Sequence, residues 1–189
     1  MPPQTAARLG NTLTHGARYV DPLLLSIDDI DMRDIAHSLS NICRWNGHGR
    51  FFSVAQHSVL CSEVARSHKF ELLLHDSSET YICDLSSAIK HGSPLGELYR
   101  EIEAGVEAII EAKFNLTPGA FKLPAVKAVD DQLLHAEAFH LFAEPYWWAD
   151  PTPALREMRI ESWLPEEAEA RFLSRFDELH AGRASAGNI

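Results

Sequence analysis

PLGELYREIEAGVEAIIEAKF, Pro94 to Phe114, decides the fold class. Leu98, Ile102, Val106, Ile109 and Ile110 recur at spacings of three and four, which lines them along one face of a helix and leaves the acidic residues on the other. The same period continues outward in both directions. Downstream, Pro124 stands where helices begin, and Val126, Val129, Leu133, Leu134 and Phe142 carry a second helix to about Ala143. Pro165-Glu166-Glu167 opens a last helix running to about His180. Upstream, Asp34 is the expected cap of a helix to about Cys43, through Ile35, Leu39 and Ile42, and Ser53 the cap of another to about Ser67. A further helix is expected over Glu71 to Cys83, and Gly92-Ser93-Pro94 as a loop. Strand-like alternation is nearly absent and no segment repeats, so the chain reads as an all-α, compact helical bundle. Residues 1–20 read as an irregular N-terminal arm, with a short extended piece between Ala17 and Leu25, and residues 181–189 as a frayed tail.

The chain has 189 residues, enough for a single domain, 1–189, that buries roughly 70% of its extended-chain surface. A net charge of −10 opposes binding to nucleic acid polymers, and no basic patch offsets it. No run of apolar residues is long enough to span a membrane, and Met1 to Gly16 lacks the apolar segment of a signal peptide, which makes a cytoplasmic protein the expectation. Cys43, Cys61 and Cys83 form no close pair and read as reduced, buried thiols. No Gly-rich phosphate loop of the Walker type is present.

Chemistry concentrates in one place. His75-Asp76-Ser77-Ser78-Glu79 follows directly on Leu72-Leu73-Leu74, so that a charged cluster is driven into an apolar interior. Buried charge is costly unless it is paired or bound to a metal. Glu79 lies one helical turn from His75 and Asp76 and shares a face with at least one of them. A His-Asp dipeptide alone means little, since about 0.6 are expected by chance in this composition; adding Glu79 and Asp84 at their spacings lowers the expectation to roughly 0.003.

A lone histidine on an upstream helix (Gln56-His57-Ser58), then His75-Asp76 with Glu79 and Asp84, then a distant aspartate, resembles the HD-domain metal-dependent phosphohydrolases. The pattern is most similar to the small members that include the bacterial 5'-deoxynucleotidase and the phage dATP triphosphohydrolase, which carry a pair like Arg44-Trp45 before the first histidine and a segment like His75 to Lys90. The resemblance covers roughly residues 34–143. It implies an HD-type bundle in which His57, His75, Asp76 and Asp130 hold one divalent ion (Mn, Co, Zn, Fe, Ni or Mg), with further ions accompanying a triphosphate. Asp131 is the alternative last ligand; Asp130 is preferred because it stands four residues after Val126 in the matching segment.

The resemblance implies catalytic roles for Glu79 and Asp84. Arg44, Trp45 and Lys90 are then the substrate-binding candidates: Arg44 as a phosphate fork, Lys90 as a point charge, and Trp45 as a stacking platform. On spacing alone Asp84 reads equally as a turn former, Arg44 and Lys90 as surface cations, and Trp45 as core. The implied activity is hydrolysis of deoxyribonucleotides, either a monophosphate or a triphosphate, by a homo-oligomer. A non-catalytic metal- or nucleotide-binding module and a hydrolase of signalling nucleotides are the alternatives. The other histidines, including His15 and His37, have no second ligand at a convincing spacing, although His37 and His48 are close enough in sequence to line one pocket. Trp147-Trp148 reads as a packing or subunit contact.

Overall fold

Asp31, not Asp34, caps the first helix in the computed structural model, which describes residues 11–186. The Asp31 carboxylate accepts the Arg33 N–H at 2.9 Å, and α1 (Met32–Asn41) follows. Asp34 has another task. It is 2% exposed and accepts the Gly16 N–H at 2.6 Å and the Arg18 guanidinium at 3.1 Å. These bonds fasten an antiparallel hairpin, β1 (Thr12–Leu13) and β2 (Tyr19–Val20), onto α1. A Cβ on Gly16 would stand 3.1 Å from Asp34 Oδ1, a tight contact that a larger residue could make only if the Asp34 side chain shifted slightly. The expected irregular arm therefore contains a hairpin in its described part, while residues 1–10 lie outside the described residues.

Burial opposes the Asp34 charge, but the hydrogen bonds from Gly16, Thr14 and Arg18 outweigh it and hold the carboxyl below its usual range. A depressed folded-state pKa adds stability that is present above the unfolded value, about 3.9, and is lost as pH falls through the folded value. Asp34→Ala is accordingly expected to cost about 1.5–3 kcal/mol in urea unfolding at neutral pH. The gap from wild type should narrow as the solution is acidified below about pH 4. A gap that stays constant with pH would assign the loss to packing instead.

Ser53 caps α2 (Val54–Val64), as its sequence predicts, by accepting the Gln56 N–H at 3.1 Å. The helix expected over 71–83 is divided. α3 (Lys69–Leu74) ends in tight turns, with Ser77 N–H donating to the Leu74 carbonyl and Glu79 N–H to that of Asp76, both at 3.0 Å, before α4 (Glu79–Ile82). The cause is local: the His75 side chain takes the Leu72 carbonyl at 2.7 Å, the acceptor a continuing α-helix would give to a backbone N–H. α5 (Ser87–Gly92) occupies a stretch without an apolar stripe, and Ser93-Pro94 caps and starts α6 (Pro94–Lys113). α7 (Pro124–His140) matches its predicted span closely. α8 (Pro153–Glu157) is short and was not predicted, and α9 (Pro165–Ala186) runs past His180, so residues 181–186 are helical and not a frayed tail.

Two apolar clusters share α2 and α3. Leu73 and Leu74 pack with Ile35, Leu39 and Phe172, whereas Leu72 and Cys61 pack with Phe52, Val126 and Leu133. Leu72, Leu73 and Leu74 are fully buried, each stabilising the fold by about 1.5–3 kcal/mol relative to exposure. The helix that ends at Leu74 thus delivers His75 to the middle of the molecule. On α6, Val106 and Ile110 are buried, but Leu98 and Ile102 of the same stripe are exposed. Of the cysteines only Cys61 is buried; Cys43 is half-buried and Cys83 exposed, contrary to the sequence expectation. Among the described residues no helix is long and apolar enough to cross a membrane.

Candidate metal centre

His57 sits on the first turns of α2, His75 and Asp76 at the end of α3, and Asp130 in the middle of α7. Their donor atoms meet. His57 Nε2 lies 3.3 Å from His75 Nε2, 3.2 Å from Asp130 Oδ1 and 3.7 Å from Asp76 Oδ2. His75 Nε2 lies 3.3 Å from Asp76 Oδ2 and 3.6 Å from Asp130 Oδ1. Asp131, the alternative, is directed elsewhere, toward His135 at 3.9 Å.

The two imidazoles are oriented from behind. His75 Nδ1–H donates to the Leu72 carbonyl, and His57 Nδ1–H donates to Glu137 Oε1 at 2.5 Å. With Nδ1 carrying a proton in each ring, both Nε2 atoms face each other and two carboxylates, a grouping that needs a positive charge among its members. Burial and Arg44 oppose a charge on His57, but Cys61, Glu137 and Asp130 overcome them and hold its pKa well above the ordinary value, so without a metal a proton supplies that charge, and a divalent cation could replace it. Donors about 2.1 Å from one shared ion stand about 3.0–3.4 Å apart at octahedral or tetrahedral angles, close to the spacings here. The donor set and its backing therefore fit a divalent cation. Burial works against the Asp130 charge, but hydrogen bonds and the charge of His57 and His75 hold its pKa well below the ordinary value.

Sequence reasoning missed two members of this centre. Cys61 places its Sγ 3.5 Å from His57 Nε2, and His57, Cys61 and His75 bring donor atoms within 4.8 Å of one another. Burial pushes the thiol pKa up, so it is a neutral neighbour here, and it would be a thiolate only if it joined the donors of a bound metal. Its position one turn after His57 was a readable signal. Glu137 is the other. Fully buried, it accepts from His57, from Arg44 Nε at 2.8 Å and from Trp45 Nε1 at 2.9 Å. Burial opposes its charge, and Arg44 and His57 overcome this and lower its pKa. Glu137 lies two turns after Asp130 on the same face of α7, which the spacing of seven predicts.

The substrate-binding candidates fare differently. Arg44 is largely buried and turned inward, with Nη1 3.6 Å from Asp76 Oδ2, so its fork is engaged by Glu137 and Asp76 rather than held open for a phosphate. Lys90 is paired with Glu103 at 2.7 Å. Trp45 is both anchor and wall: its N–H is held by Glu137 while its ring stacks near Tyr146 at 5.8 Å and Trp148 at 6.2 Å. Trp45 and Asn46 both have left-handed backbone, φ 58° and 49°, a strained pair that the Glu137 bond and the aromatic stack hold in place. Trp148 is thus a packing residue, whereas Trp147 is 93% exposed.

A cavity of about 520 Å³ opens beside the donors. Arg44, Trp45, Asp76, Glu79, Asp84, Lys90 and Asp130 line it, joined by His48, His91, Lys127 and Tyr146. His37 lines a different cavity, so the expected sharing with His48 does not occur. Lys127, half exposed with Nζ 3.4 Å from Asp130, is the cation most open to this space and was not singled out in the sequence. Glu79 Oε2 is buried without a hydrogen-bond partner. Burial, then repulsion from Asp76 and Asp84, raises the Glu79 pKa well above the carboxylate norm, and burial and Asp76 raise that of Asp84.

No family model matches the chain. It is 37% identical over 164 residues to the uncharacterized protein YfdR of Escherichia coli (strain K12), a match covering 84% of this chain and 89% of that one. It is also 33% identical over 171 residues to an uncharacterized protein of Rhodobacter capsulatus, covering 80% of this chain and 86% of the relative.

Proposed function

The chain belongs to the family of the Escherichia coli protein YfdR, and from the centre its own residues build we propose that it is a divalent-metal-dependent phosphohydrolase of the HD type, acting on deoxyribonucleotides. The observation that carries this reading is the meeting of His57 Nε2 and His75 Nε2 at 3.3 Å between Asp76 and Asp130, with each Nδ1 already committed. His57, His75, Asp76 and Asp130 would hold the ion, with Cys61 as an adjoining soft donor. A divalent ion there supplies Lewis-acid activation of water and neutralises charge on a phosphoryl group.

The surrounding residues supply the rest. Glu79, its Oε2 unpartnered and its pKa raised by burial, is suited to take the proton of an attacking water. Asp84, whose pKa is also raised, stands on the cavity wall where it can hand a proton to a leaving oxygen. Lys127 gives a phosphate a positive partner at the cavity mouth, and Lys90 can join it by exchanging Glu103. Trp45 and Tyr146 offer an aromatic wall on which a base can stack. Arg44 acts as a positioning residue, tying Glu137 to Asp76.

The test is product release from a panel of deoxynucleoside mono- and triphosphates with Mn²⁺, Co²⁺ or Zn²⁺. Wild type is expected to release phosphate or tripolyphosphate, and a His75→Ala/Asp76→Ala variant to fall to background. Tight nucleotide binding without product in any metal would assign the centre to a non-catalytic binding module.

A further inference from the structure

A second group of metal-ligating side chains lies away from the centre. His15 is at the tip of the β1–β2 hairpin, His37 on α1 and Glu169 on α9. Their donor atoms all lie within 4.8 Å of one another, although the residues are far apart in sequence. His37 Nδ1 is 2.9 Å from Glu169 Oε2, and the His15 ring stacks on His37 with centroids 3.8 Å apart and planes 19° from parallel.

The arrangement is held in place by the fold. The Gly16 N–H bond to buried Asp34 and the Arg18 bond to the same carboxylate fix the hairpin tip over α1. His15 is thereby delivered to His37 by backbone geometry, and α9 brings Glu169 from the other side. A cavity of about 360 Å³, lined by Thr12, Thr14, His15, His37 and Thr80 among others, leaves room beside the rings for water ligands. Thr80 Oγ1, on that wall and one residue from Glu79, is a buried oxygen without a hydrogen-bond partner.

We propose that His15, His37 and Glu169 form a second divalent-cation site, for a borderline transition metal of the Zn²⁺ class, that joins the N-terminal hairpin to α1 and α9. Two imidazoles and one carboxylate suit such an ion, with water completing four-coordination. To bind the ion, neutral His37 adopts the tautomer with its one proton on Nε2 and offers the Nδ1 lone pair, beside Glu169 Oε2, as the ligand. Donors of one ion stand no more than about 4.2 Å apart, so His15 must tilt out of its stack to bind. His15 is exposed at a turn, where its side chain is free to change rotamer. Because the three ligands come from three segments, occupancy fastens the β1–β2 hairpin and α9 to α1.

The test is equilibrium dialysis of the full chain against micromolar Zn²⁺, followed by elemental analysis. His15→Ala/His37→Ala and, separately, Glu169→Gln are expected to hold about one ion fewer per chain than wild type, and Zn²⁺ should raise the Tm of wild type more than theirs. Glu169→Gln preserves side-chain size and guards against a loss of fold in the double variant. Both variants retaining the wild-type content would overturn the proposal. His57→Ala/His75→Ala tests the other centre independently: unchanged zinc content there, with one ion still lost from His15→Ala/His37→Ala, would sink the first centre and leave the second standing.

Discussion

Glu137→Ala is expected to destabilise the metal-free protein by about 3–5 kcal/mol, the cost of leaving a buried charge without its partner. The carboxylate is fully buried and receives three donors, from His57, Arg44 and Trp45. Its removal leaves the largely buried Arg44 guanidinium only the longer 3.6 Å pairing with Asp76, leaves His57 Nδ1–H without an acceptor and frees a Trp45 backbone that sits in the left-handed region. Glu137→Gln separates charge from shape. Its amide oxygen can still accept from His57, so the fold should survive better, while the weaker acceptor should lower metal affinity about 10–100-fold. Urea unfolding and metal titration read the two effects. If Glu137→Ala costs less than about 1 kcal/mol, the residue is not the clamp of this centre.

Glu137 also shows where sequence reasoning stops. His57, His75, Asp76 and Asp130 were legible because they follow a pattern, and the structure gathers all four. Glu137 follows no motif: its role comes from what α7 packs against, and the spacing from Asp130 gains meaning only once Asp130 is placed. Arg44 is similar, since a cation in sequence shows its charge but not the carboxylates, Glu137 and Asp76, that engage it. For the fold, α2 and α7 were readable from cap and stripe, because both buried faces lie in continuous helices. The break after Leu74 was not, because it depends on the His75 side chain taking a backbone acceptor. Asp34 was misread as a cap because Asp at a helix start usually is one; its actual partners, Gly16 and Arg18, lie in a segment with no periodicity to place it. His15 and His37 went unassigned because their third partner is Glu169, a distance of 132 residues from His37.

On the phosphohydrolase reading proposed above, Glu79→Gln is expected to reduce kcat by about 10²–10⁴-fold, the contribution of a positioned general base, with metal content unchanged. The exchange removes proton-accepting capacity and little else. The side chains are nearly isosteric, and Glu79 Oε2 is buried without a hydrogen-bond partner, so an amide of the same shape breaks no hydrogen bond at that atom. This distinguishes Glu79 from its neighbour: Asp76 Oδ2 points at both imidazole nitrogens, at 3.3 Å and 3.7 Å, and its loss should remove the ion itself. Metal content and kcat measured on Glu79→Gln and Asp76→Asn in parallel separate the two roles. A base leaves the ion in place and the rate low. Equal losses of metal and turnover from Glu79→Gln would make it a fifth donor, and the proton would then have to leave through Asp84, the remaining cavity carboxylate whose pKa burial raises.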